Sequence, residues 1–105
     1  MIKCMRVKPG EVDALRDWMT EAMARQDEVL ETFEQETIRH EMAILLDGND
    51  GPVLVYGMEV EDYEVARAAF LASQLPIDRQ HRQVMSRVLD GPAEVEQLMD
   101  IRARP

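Results

Sequence analysis

At 105 residues, 46% hydrophobic and 31% charged, the chain suits one domain with its own core and is too apolar to be disordered. Its net charge of −9, from 21 acidic and 12 basic residues with no basic run, repels phosphate backbones and anionic headgroups, which argues against nucleic acid and membrane surfaces as partners. Cys4 is the one cysteine, so no internal disulfide or paired-thiolate zinc site can form, and no apolar run suits a signal peptide or membrane span; a cytoplasmic protein is expected.

Residues 1–7 read as a short strand, apolar on both parities and ended by Lys8-Pro9-Gly10. From Glu11 to Phe33 the period becomes helical: Val12, Leu15, Met19, Ala22, Met23, Leu30 and Phe33 fall on one stripe, with no proline or glycine between them. A single helix of this length spans roughly 35 Å, more than the strands beneath it, so its last turns, Glu28 to Glu34, are expected to overhang the sheet. Thr37–Leu46 and Pro52–Val60 read as a hairpin around Asp47-Gly48-Asn49-Asp50-Gly51. Ile38, His40, Met42, Ile44 and Leu46 share one face of its first strand, and Val53, Val55 and Gly57 one face of its second; neither face is cleanly polar. Glu61-Asp62 opens a helix carrying Val65, Ala66, Ala69 and Phe70, broken at Ser73–Pro76. Ile77–Leu89 forms another, with Ile77, His81, Val84, Met85 and Val88 as its apolar stripe and Asp90-Gly91-Pro92 as its stop. The tail, Val95–Ala103, reads as a final strand.

Strand, helix, two strands, a helix pair and a strand make the split βαβ order of a ferredoxin-like α+β fold, with an antiparallel four-stranded sheet and helices on one face. The other face is too apolar to stay wet, which suggests a homodimer through the open sheet.

Cys4–Gly10, Arg25–Thr32, Glu41, Val55–Glu59 and Ser73–His81 together resemble a bacterial family of uncharacterised small proteins with the dimeric α+β barrel fold. The resemblance implies that fold and a dimer, and no mechanism. The chain departs from the family pattern at Gly57, where a second tyrosine is frequent, and at Leu75, where histidine is. Both departures remove polar groups from the neighbourhood of the candidate site.

His81 leads that site, because it lies on an apolar stripe with Asp78 three residues earlier. An imidazole oriented by Asp78 and facing a cavity could act as general acid or base, or bind haem iron; the bland reading is a hydrogen-bonded core histidine. Glu41 and Tyr56 lie on adjacent strands, and the strand register decides whether they share a face. A covered Glu41 could be a base with a raised pKa, unless it pairs with Arg39. Arg25 could neutralise an anionic ligand or simply pair with Glu21 or Glu28, and Trp18 could stack on a ligand or fill the core. The Asp47–Gly51 loop lacks the spacing of a calcium loop, and His40-Glu41 lacks the second histidine of a zinc protease, so no metal is expected; no cofactor is identified by sequence. Eight methionines fit an irregular core or a pliable pocket. The leading expectation is a small-molecule-binding protein with its pocket between sheet and helices near His81. The alternatives are a small cofactor-independent or haem-linked isomerase or oxygenase using His81 with Asp78, and a structural partner protein without a pocket.

Overall fold

The computed structural model describes residues 1–105. Strand β1 (Ile2–Val7) leads into α1 (Val12–Ala24) and α2 (Gln26–Glu36). The hairpin strands β2 (Ile38–Gly48) and β3 (Gly51–Val60) come next, then α3 (Tyr63–Ala72), α4 (Pro76–Val88) and β4 (Leu89–Pro92). The strands form one antiparallel sheet in the order β2-β3-β1-β4, an α+β architecture with an open sheet and four helices. Asp62 starts α3 by accepting from the backbone N–H groups of Glu64 and Val65, at 3.0 and 3.2 Å. Proline stands in the first turn of α4, where its missing N–H costs nothing. Gly51 closes the hairpin at φ +108°, a value that side-chain-bearing residues avoid.

Register settles which residues share a face. Leu45 pairs with Leu54, Ala43 with Tyr56 and Glu41 with Met58, while Met5 pairs with Leu54 and Lys3 with Tyr56. This is the face under the helices, where Val7, Leu15, Leu54, Tyr56 and Val88 form the core. The opposite face carries Ile2, Cys4, Met42, Ile44, Leu46, Val53, Val55 and Gly57. Ile2, Met42, Ile44 and Leu46 are all more than half exposed there.

Two expectations are corrected. The long helix of 11–33 is broken at Arg25, whose backbone leaves helical geometry at φ −114° and ψ 43°. Its guanidinium binds Glu28 at 2.6 and 2.8 Å, approaches Glu21 at 3.5 Å and donates to Gln80 of α4. The break replaces an overhanging rod with a second segment folded back over β2 and α3, which buries Thr32 and Glu36. The final strand is not Val95–Ala103 but Leu89–Pro92, because α4 delivers the chain directly to the free edge of β1. Lys8 N–H donates to Val88 O at 2.8 Å, Ala93 N–H donates to Cys4 O at 3.1 Å, and Arg6 grips Asp90 O at 2.9 and 3.2 Å. The supposed stop, Asp90-Gly91-Pro92, is thus part of the strand. Residues 93–105 form no regular structure.

Candidate functional site

His81 projects from α4 into a ring of side chains supplied by three other elements. Trp18 of α1 donates its indole N–H to His81 Nδ1 at 2.8 Å, and Tyr56 of β3 places its hydroxyl 3.2 Å from Nε2. Phe70 of α3 meets the imidazole edge-on at 5.5 Å between ring centres. The indole nitrogen can only donate, so Nδ1 must be unprotonated and the proton sits on Nε2, donated to the tyrosine oxygen. The hydroxyl hydrogen of Tyr56 is left to turn elsewhere; its nearest acceptor is Met85 Sδ at 4.0 Å. Protonating Nδ1 would set two donors against each other. Burial also disfavours the imidazolium and outweighs the attraction of the Asp78 charge, lowering the His81 pKa to about 4. The imidazole is therefore neutral at physiological pH.

The expected Asp78–His81 pairing is replaced by a different one. Asp78, 3% exposed, accepts from Thr32 Oγ1 at 3.0 Å through Oδ1, while its Oδ2 is buried without a hydrogen-bond partner. Trp18 and Tyr56, rather than Asp78, orient the imidazole. Asp78 occupies the first turn of α4, where the helix dipole favours a carboxylate. Around it stand two more acids. Glu36, buried at the end of α2, has its pKa raised to about 8 by burial, then by the charges of Asp78 and Glu41. Glu41 of β2 is raised to about 7 by burial and by Asp78. Burial, followed by the Glu41 charge, pushes the Tyr56 phenol far up as well.

No lysine or arginine forms an ion pair with these three acids. Arg39, the expected partner of Glu41, instead reaches Glu59 at 3.2 Å, after the register shift between Ile38 and His40. No group of three or more His, Cys, Asp or Glu side chains has the arrangement of a metal-ligand set. The joint into β2 is strained: Thr37 takes the left-handed conformation at φ 57°, uncommon for a β-branched residue, as the chain turns from α2 with Glu36 still under the sheet. Beside Glu41, on the same helix-side face and directly across from Tyr56, Ala43 is exposed.

The structure thus brings together His81, Tyr56 and Trp18, with Asp78 and Glu41 in the adjoining acid group. Arg25 stands apart at the α1–α2 joint, engaged by Glu21, Glu28 and Gln80. Gly57 lies on the opposite sheet face, across from Met42 and Ile2, with open space where a side chain would project. Its departure from the family pattern therefore removes nothing from the His81 site. Sequence reasoning missed Glu36 and Thr32; a glutamate four residues past a threonine at the end of a helical stripe was the only trace of them.

A family model described as DUF6176, a family of unknown function, matches residues 2–104. The chain belongs to this family. No curated protein and no solved structure matches it. No helix of this DUF6176 chain is long and apolar enough to cross a membrane.

Proposed function

We propose that this DUF6176 chain binds a compact amine at the open, acidic end of its helix–sheet interface, on a ferredoxin-like, dimeric α+β-barrel plan suggested by its element and strand order. The observation that carries the reading is Asp78 Oδ2, a buried carboxylate oxygen with no partner, in a group of three acids without a cation. Native interiors rarely leave such an acceptor unpaired, because the lost hydrogen bond costs about 1–3 kcal/mol. An ammonium group supplies both the missing donors and the missing positive charge. The uncovered surface at Ala43 gives a route in.

A second reading, a small enzyme, is favoured by Glu41. A carboxyl group raised to about 7 can both take and return a proton near neutral pH. In that reading Glu41 is the acid–base group and His81 positions Tyr56.

Trp18 is the one tryptophan, and its indole N–H points at His81, so its NMR resonance reports the site. Among compact amines added at millimolar concentration, at least one is expected to shift it, and Glu41→Gln to weaken that binder about tenfold or more. An indole signal that no amine moves, or a binder indifferent to Glu41→Gln, would overturn the reading.

A further inference from the structure

Two parts of the chain lack partners, and each has what the other needs. The outer side of β2 is a border of the sheet, an eleven-residue strand with one row of backbone N–H and C=O groups unpaired. Such edges are usually blunted by charge, proline or bulges, yet Met42-Ala43-Ile44-Leu45-Leu46 carries none of these. The other part is the arm of residues 93–105, whose Val95, Leu98, Met99 and Ile101 are 71–86% exposed. In an extended chain Val95, Gln97, Met99 and Ile101 fall on one side, with Glu96, Leu98 and Asp100 on the other.

We propose that residues 95–101 of one copy add as a strand to the outer edge of β2 in a second copy, and reciprocally. Val95, Met99 and Ile101 then extend the apolar face of Met42, Ile44 and Leu46. The chain cannot do this to itself. The arm leaves β4 at the far border of the sheet, so reaching its own β2 edge means crossing four strand spacings, roughly 19 Å. The three residues from Pro92 to Val95 reach at most about 11 Å.

The area to be covered also favours a second copy. The open face measures roughly 500 Å² per copy from strand dimensions, so pairing two faces buries about 1,000 Å², below the 1,200–2,000 Å² usual for a stable association. Each of the three arm side chains on that face contributes on the order of 60–120 Å² when buried, and two arms bring the total into that range. The proposal rests on reading the open face as a self-association surface.

The test uses the full chain in light scattering, with hydrogen exchange on the same samples. The expected result is a dimer in which amides of 95–101 and β2 are protected. Met99→Asp/Ile101→Asp should raise the dissociation constant about 100-fold and remove the arm's protection. Ile44→Asp, on the sheet face itself, should dissociate the dimer while leaving the fold intact. A dimer that withstands the arm double variant, with 95–101 unprotected, would overturn the arm exchange and leave the sheet-face reading standing. A monomeric wild-type chain would overturn both.

Discussion

The interface between helices and sheet contains two polar groupings side by side, built on opposite terms. Around His81 both ring nitrogens have partners: indole N–H to Nδ1, Nε2–H to the tyrosine oxygen, with Phe70 closing the ring edge. Around Asp78 one hydroxyl bonds one carboxylate oxygen, and the other oxygen is buried with nothing. A satisfied network fixes side chains, and fixing them is reason enough for it to exist. An unsatisfied one costs stability, and a protein keeps it where something else completes it. The comparison turns the proposed binding role from the histidine, the most conspicuous residue of the sequence, to the acids beside it.

The sharpest way to break this contrast is His81→Ala. It opens a cavity and unpairs both the indole N–H of Trp18 and the hydroxyl of Tyr56, so urea unfolding should show a loss of about 3 kcal/mol. A loss below about 1 kcal/mol would mean the network does not fix the interface.

Glu36→Gln should act the other way. A carboxyl group with its folded pKa raised above the unfolded value binds more protons when folded, so its contribution falls as pH rises between the two. For Glu36 that window runs from 4.5 to about 8, and for Glu41 from 4.5 to about 7. His81, lowered from 6.5 to about 4, has the opposite sign and a window that closes at 6.5. Above pH 6.5 only the acids contribute, and stability should fall by about 2 kcal/mol by pH 8.5. Glu36→Gln should abolish most of that slope, and the stabilisation it gives should grow with pH up to about pH 8, as read from unfolding midpoints across pH.

Thr37→Gly, which relieves the left-handed backbone that turns the chain out of α2, should stabilise by about 1 kcal/mol after glycine's own entropy cost. Loss of stability there would mean that the strain is not borne at this joint. The smallest effect belongs to Arg25→Met: the ion pairs at the α1–α2 break are partly exposed and Met keeps the packing of the stem, so the unfolding midpoint should drop only slightly while the helix content stays unchanged by circular dichroism.

Much of the fold was legible because it is written in periods. Alternation marked the hairpin and grouped Met42, Ile44 and Leu46 on one face, and the register then showed that face to be the bare one. The helical stripe of 77–88 placed His81 inward. The break at Arg25 was not legible, since no proline or glycine marks it and its contact with Gln80 lies 55 residues away in the chain. The tail was misassigned for a related reason. Its alternation is strand-like, but the one free edge within reach, beside β1, is taken by Leu89–Pro92 as soon as α4 ends. Glu36 was hidden because a glutamate near a helix end ordinarily faces water, and only the folded-back α2 drives it under the sheet. Of the candidate site, His81, Asp78, Tyr56, Glu41 and Trp18 were all legible as residues. What was not legible was which of them bond to each other.

The most direct test is a carbon-detected NMR titration of the Glu36 and Glu41 carboxyl groups together with the His81 ring, from pH 4 to pH 9. The expected result is glutamate midpoints near 7 and 8 and an imidazole that stays neutral down to about pH 5. An imidazole titrating near 6.5 with both glutamates near 4.5 would contradict the account and return the chemistry to His81.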